Sequence, residues 1–536
     1  MEHTQNHRHG AGPSCRFALA LLACASAAPA LATDWPKFGY DQAASGNNTA
    51  EKGFSSARNS YLYARGVALL DGTSVLVDSV PVYLGGVATP SGTKNLLFVV
   101  TTGGALLALD AANGSTLWQQ QPTGRGTLTN GSPAIDPNRM FVYAYGLDGY
   151  VHKYGTADGT EIRTNGWPEL ATSKPNVEKA ASALAIASPA GGDSFLYSTT
   201  NGYFGDQNDY QGHVTAINLR TGNQTVFNTL CSNSSSHFVE IESGFGPNDC
   251  FFPDRSAMRG SGIWGRPGVV YDSGLNRIFF ATGNGAFAAN AWGDSVLALN
   301  PDGTGLNAAQ GLPLDSYTPT EFATPYPGDT DVGSTSPAIL PSTSSQYPHL
   351  AVQSGKDGCV RLLDLDDLSG RGGPGNSGGE LNSAGTGSCP DALNAEVLTQ
   401  PAVWVSPTDG STHFFIAAGT GLFAYRLAFN GSGYPTLGPP TRIGQGGTSP
   451  AIANNQIYYL TNDRKISVID AATGNAVWSS SGGGGKSIGP THWQSPIVVD
   501  GHVYFVDGND PQIGGASTIW AFALDGNIIF QDGFEQ

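Results

Sequence analysis

One pattern limits what this chain can fold into more than any other. An apolar run enters an Asp-containing turn, a Gly follows four residues after the Asp, and a Trp follows four after the Gly. It stands at Asp110, Gly114 and Trp118, closing Ala105–Trp118, and again at Asp470, Gly474 and Trp478. Asp and Asn can bond their own backbone in a turn, and Gly can take a positive φ at little steric cost, so each copy reads as a hairpin between two strands. Looser copies occupy Val151–Ile162, Val214–Phe227, Val296–Thr304, Val360–Gly370, Leu422–Gly431 and Ile519–Asn527, which makes eight. A second signal precedes most of them by about one hairpin: a residue, then Pro, then an apolar strand. It appears at Ser132-Pro133, Arg266-Pro267, Ser336-Pro337, Gln400-Pro401, Ser449-Pro450 and Ser495-Pro496, with weaker versions at Thr89-Pro90 and Ala181–Ile186. Further apolar runs such as Leu96–Thr101 and Gln456–Leu460 lie between the two signals. Each unit therefore reads as four short strands. A unit with two apolar faces cannot stand alone, but neighbours arranged radially bury one another. The fold class predicted is all-β, an eight-bladed β-propeller of four-stranded antiparallel blades. The Leu, Ile and Ala before each turn are expected between blades, and the Trp or Phe after it on the neighbouring blade.

Composition agrees: 73 Gly and 33 Pro against 3 Met suit many short strands joined by turns. A net charge of −17 argues against nucleic acid as a partner and against adsorption to anionic lipid, since both need a basic face. The beginning reads as an export signal. Arg16 precedes the apolar run Phe17–Ala23, and Ala30-Leu31-Ala32 offers a cleavage site before Thr33. Leu21–Cys24 also has the form of a lipidation site, which would tether the protein at Cys24. No later stretch is apolar enough to span a bilayer. The expected organisation is a signal peptide over 1–32, a single propeller over 33–527 and a short tail over 528–536, like that of some exported bacterial proteins. Beyond residue 32 four cysteines remain, Cys231, Cys250, Cys359 and Cys389. An even count in an exported chain points to disulfides, and local pairing, Cys231 with Cys250 and Cys359 with Cys389, is the simplest of three connectivities.

The repeated Ala-Leu-Asp … Gly … Trp pattern resembles the repeat of pyrroloquinoline-quinone (PQQ) propellers, and so does the opening Asp34–Asp41. That family includes quinoprotein alcohol dehydrogenases, polyvinyl-alcohol-dehydrogenase-like proteins and a non-enzymatic outer-membrane assembly lipoprotein. The likeness is greatest over Gly262–Leu299. It implies that Asn284, in Thr282-Gly283-Asn284, matches a calcium ligand beside the quinone. It implies that Asp329, with Asp331 as the alternative, matches the catalytic aspartate and a calcium ligand. It also implies that Lys356, in Gln353–Gly358, matches the residue contacting the cofactor. The chemistry is coherent, because calcium prefers hard oxygen ligands and could polarise a quinone carbonyl while an aspartate takes the alcohol proton.

The chain departs from the dehydrogenase pattern in several places. It has no adjacent Cys pair, Gln207 stands nearest the position of the family's calcium glutamate, Pro327–Asp331 lacks the neighbouring Trp, and no haem motif is present. Nor is there a His-Glu-x-x-His, a Gly-x-Ser-x-Gly elbow or a P-loop. With intact repeats and altered site positions, the function expected is a non-catalytic exported propeller that binds a protein or small-molecule ligand at its funnel. The alternative is a PQQ- and calcium-dependent dehydrogenase of alcohols or hydroxylated polymers.

Overall fold

Glycine turns set the spacing between blades. The computed structural model describes residues 34–51, 60–203, 209–239, 260–322, 329–382, 389, 393–480, 488–508 and 516–524. The expected signal peptide, Cys24, Gln207, Cys250 and the tail over 528–536 lie outside the described residues. In blade one, Val82–Thr89, Gly92–Val100, Leu106–Asp110 and Thr116–Gln120 pair antiparallel in chain order. Asp110 Oδ1 accepts the Ala112 N–H at 3.0 Å, and its carbonyl accepts the Gly114 N–H at 2.7 Å. Gly114 has φ +69°, and a Cβ there would meet Ile519 Cγ2 at 2.9 Å. The turn of blade one thus lies on the third strand of blade eight. The next blade repeats the arrangement, since a Cβ on Gly159 would strike the Trp118 ring at 2.6 Å. The Trp118 indole also donates to Thr156 O at 3.2 Å. Gly therefore serves twice in the motif, once for the turn and once for the close approach of the preceding blade.

The full architecture is an eight-bladed propeller of four-stranded antiparallel blades. Blades two to four begin at Ala134–Ile135, Ala185–Ala187 and Val270–Asp272, and blades five to eight at Ala338–Pro341, Ala402–Val405, Ala451–Ala453 and Ile497–Val499. The core is a ring of apolar clusters between blades. Leu96, Phe98 and Leu106 of blade one meet Val142 and Tyr154 of blade two, for example, and Ile278 and Phe280 of blade four meet Val214 and Phe227 of blade three. Trp478 packs on Phe522 of blade eight with ring centroids 5.8 Å apart, as expected of the Trp after the turn.

Four units depart from the four-in-a-row reading: in blade six Gly421–Phe429 pairs with both Pro435–Leu437 and Thr441–Gly444, and Asn47–Asn48 adds a parallel strand to blade seven. Blade five has three regular strands, Ala338–Pro341, His349–Ser354 and Val360–Asp364. Its outer place is taken by Leu381, whose N–H donates to Leu362 O, and by Asn382, whose amide accepts from Leu362 N at 2.8 Å and donates to Val360 O at 2.8 Å. Blade eight takes its fourth strand from the other end of the chain: Ser60–Gly66 pairs with Thr518–Ala523. The ring is thereby closed by hydrogen bonds between residues far apart in sequence.

Residues 34–51 strengthen that closure. The arm pairs Trp35 with Tyr83 and gives Pro36 O to Ile135 N, Gln42 O to Tyr271 N, Ser45 O to Val403 N and Gly46 O to Ile452 N. The Gln42 side chain accepts from Ser188 N at 2.6 Å, and the Asn48 amide donates to Val498 O at 2.8 Å. These partners lie on or next to the innermost strands of every blade except the fifth. The residue-Pro signal has its physical basis at the same inner edge. Ser132 Oγ accepts from Val80 N at 2.8 Å, Ser336 Oγ donates to Gly268 O at 3.0 Å, and Ser449 Oγ accepts from Gln400 N at 2.9 Å. At these three positions the side-chain oxygen before the Pro ties one blade start to the next.

The Cys359–Cys389 disulfide is formed, with Cα atoms 5.4 Å apart, as local pairing expects. Cys231 is also disulfide-bonded. No helix among the described residues is long and apolar enough to cross a membrane.

Asn48 is fully buried, and its Oδ1 also accepts from Ala50 N and Glu51 N at 3.1 Å. Asn48→Ala strands the Val498 carbonyl and two N–H groups, and is expected to cost about 1–3 kcal/mol in urea unfolding. An unchanged midpoint would show that the arm does not support the ring.

Candidate functional site

Four residues singled out in sequence, Asn284, Asp329 with its alternative Asp331, and Lys356, come together at one place. Asn284 follows the second strand of blade four, Arg277–Ala281, while Asp329 and Asp331 precede the short 3₁₀ turn Val332–Ser334. Lys356 sits at the hairpin tip between His349–Ser354 and Val360–Asp364. The Lys356 ammonium lies 2.5 Å from Asp329 Oδ1 and 2.7 Å from Asp331 Oδ2. Asn284 Nδ2 donates to Asp329 Oδ1 at 3.3 Å, and the Asn284 N–H donates to Asp331 Oδ1 at 2.7 Å. The Lys356 N–H donates to Asp331 O at 3.0 Å, so main chain and side chain of Lys356 hold the same residue.

The two aspartates differ sharply. The Asp329 side chain is 63% exposed and that of Asp331 only 4%. Burial pushes the Asp331 carboxyl up, against the pull of the Lys356 charge and the Asn284 N–H. At Asp329 the upward push of burial is outweighed by the hydrogen bonds from Lys356 and its neighbours, which hold it below the usual range. Burial alone would lower Lys356, but the charges of Asp331 and Asp329 hold its ammonium above the ordinary lysine value.

Other residues at this place escaped sequence reading. Asp294 is buried, accepts from Val332 N at 3.1 Å, and is pushed well up by burial and by the Asp331 charge. Trp264 lies on the other side: a Cβ on Gly283 would meet Trp264 Cδ1 at 2.9 Å and Asp331 Oδ1 at 2.1 Å. Its indole N–H is buried and has no hydrogen-bond partner among the described residues.

Two residues further along the same segment, Arg266 faces a cavity of about 360 Å³ lined by Glu396, Thr399, Asn462, His492, Trp493 and Gln494, among others. Its guanidinium bridges Ala181 O and Trp493 O, both at 3.1 Å, and lies 4.9 Å from the Trp493 ring centre and 5.9 Å from that of Phe38 in the arm. Burial brings Arg266 down to about 10, partly offset by Asp78, so it remains charged at neutral pH. Asp78 is held by His492 Nδ1 at 2.8 Å and Trp493 N at 3.0 Å, and it accepts from Asn130, which in turn accepts from Lys179 at 2.7 Å. Arg266 was legible as the charged exception among residues that are mostly Ser before Pro. His492 and Trp493 carried no such mark.

The residues around Lys356 do not fit calcium as they stand. Calcium takes roughly six to eight oxygens, and Asp329, Asp331 and Asn284 offer the right kind of atom. The place between the carboxylates is nevertheless held by an ammonium, and the described residues contain no group of three His, Cys, Asp or Glu side chains suited to a metal. Lys356 is likewise committed to two acids, which leaves it no unpaired charge for an anionic quinone.

A buried ion pair joins Glu178 to His213 on the third strand of blade three. His213 and Glu178 are both fully buried. His213 Nε2 faces Glu178 Oε1 at 3.1 Å, and Nδ1 faces Asn228 Oδ1 at 2.6 Å. Asn228 is oriented by donating to Ser234 O at 3.0 Å, so both ring nitrogens meet acceptors and the imidazole carries its proton. Burial opposes this, but Glu178 outweighs it and raises the His213 pKa above its ordinary 6.5. The stabilisation is therefore complete below the unfolded value and fades as pH rises through the folded one. His213→Gln should cost about 3–5 kcal/mol at pH 6 and progressively less toward pH 9 in urea unfolding. A cost that grew with pH would contradict the protonated pair.

A family model of PQQ-type repeats, described as outer membrane protein assembly factor BamB, matches residues 64–242 and 405–532. No curated protein matches the sequence. Among solved structures, the quinohemoprotein alcohol dehydrogenase ADHIIG from Pseudomonas putida HK5 is 15% identical with a TM-score of 0.59, over 94% of this chain and 82% of its own. The quinohemoprotein alcohol dehydrogenase from Comamonas testosteroni is 15% identical with a TM-score of 0.58, over 92% and 81%. A europium-containing methanol dehydrogenase is 14% identical with a TM-score of 0.60, over 91% and 98%. At such identities the likeness is one of fold.

Proposed function

The chain belongs to the PQQ-repeat β-propeller family, and on that footing we propose that it is an exported, non-catalytic propeller that binds a small molecule or partner protein at its axial funnel. The observation that carries this reading is the cavity of about 360 Å³ bordered by Arg266, His492 and Trp493. It joins an aromatic wall to a few convergent polar groups, as ligand sites do. The reactive-looking residues, by contrast, are spent on one another: Lys356 is paired with both Asp329 and Asp331. Export agrees with the Cys359–Cys389 disulfide and with a signal over residues 1–32.

A second reading, a PQQ- and calcium-dependent dehydrogenase of alcohols or hydroxylated polymers, is favoured by the meeting of Asn284, Asp329 and Lys356 in one cluster. On that reading Asn284 and Asp329 would hold calcium, Asp329 would serve as base and Lys356 would contact the quinone. It requires Lys356 to give up a carboxylate.

One assay separates the two. The mature protein, given PQQ and calcium, is expected to reduce no artificial electron acceptor with primary alcohols or polyvinyl alcohol. Sustained dye reduction that Asp329→Asn abolishes would overturn the non-catalytic reading. Mass spectrometry of the exported protein should give a chain beginning at Thr33, and a lipid-modified Cys24 would instead show a tethered form.

A further inference from the structure

We propose that the Lys356 ammonium is the resident cation of the Asn284–Asp329–Asp331 site, a built-in replacement for a metal ion, so that the site is complete without calcium. The proposal is independent of what the axial cavity binds.

Three observations carry it. The ammonium contacts one oxygen of each carboxylate, 2.5 Å from Asp329 and 2.7 Å from Asp331, which is where a cation bridging the two acids would stand. Such charge-assisted bonds are short and strong, and a divalent ion could enter only by breaking both and leaving a third positive charge beside it. The side chain is also held in place from its own backbone, since the Lys356 N–H donates to Asp331 O at 3.0 Å and the Gly358 N–H closes the tip on Gly355 O at 3.0 Å. The tip is further fixed by Leu393 N on Gly358 O at 2.9 Å and Val397 N on Gly355 O at 3.1 Å. Finally, Asn284 presents its NH₂ group, not its oxygen, to Asp329. A metal ligand would turn the oxygen inward, whereas a donor belongs where the positive charge is already supplied.

Removing the ammonium should therefore uncover an oxygen-lined cation site. Terbium, a calcium-like cation that prefers oxygen ligands, is a suitable probe because Trp264 lies against Gly283 and Asp331 and can sensitise its emission. The full mature wild-type chain is expected to give no saturable sensitised emission from this site and no calcium-dependent shift in melting temperature. Lys356→Met is expected to gain saturable terbium emission, competed by calcium, over the concentration range in which the wild type gives none. Asp329→Asn in the Lys356→Met background should abolish the gain and so assign it to this site. Either of two results would overturn the proposal: wild-type emission that Asp329→Asn removes, or a folded Lys356→Met protein without emission. If Lys356→Met does not fold, Lys356→Gln replaces it. If neither folds, the wild-type titration decides: saturable emission lost in Asp329→Asn overturns the proposal, and its absence supports it.

Discussion

The contact on which the propeller depends is the seating of a turn glycine under the preceding blade. Gly159 lies against the Trp118 indole so closely that a methyl group at residue 159 would overlap it. The turn needs a left-handed residue, the neighbour needs an absent side chain, and Gly alone meets both demands. Trp118 supplies the complementary half by donating its indole N–H to Thr156 O of the same turn. A blade is thus completed by its neighbour, and that dependence makes the ring a single cooperative body.

At the inner edge a different chemistry does the joining. Pro cannot donate, and Ser132, Ser336 and Ser449 beside their prolines bond the backbone of adjoining blade starts. Arg266 breaks the series, and its guanidinium reaches Ala181 O on one side and Trp493 O on another. The position that departs from the repeat borders the axial cavity, as Ser449 of the regular series also does. Regularity supplies the frame, and the exception supplies the chemistry.

The fold was legible because its signals are local. Asp110, Gly114 and Trp118 are close in sequence and their roles follow from turn chemistry, so the blade count could be read directly. Asn284, Asp329 and Lys356 were found through resemblance, and the structure brings them within hydrogen-bond distance of one another. What could not be read was long-range or depended on burial. Nothing in Ser60–Gly66 marks it as the outer strand of the last blade, because its partner Thr518–Ala523 stands at the far end of the chain. Asp331 and Asp329 look alike in sequence, yet one is buried and the other exposed. Blade five resisted a purely periodic reading, because an Asn382 side chain stands in for strand backbone.

The closure of blade eight also governs the order of events in folding. Asn48 bonds Val498 across 450 residues, and the strand at Ser60–Gly66 gains its pairing strand only when Thr518–Ala523 is available. Loop closure over such a span is slow, and the parts made first must wait for those made last. The earlier blades pair strands that are neighbours in sequence, so they can form on their own, while the arm at Asn48 and the outer strand of blade eight can dock only once Val498 and Thr518–Ala523 are in place.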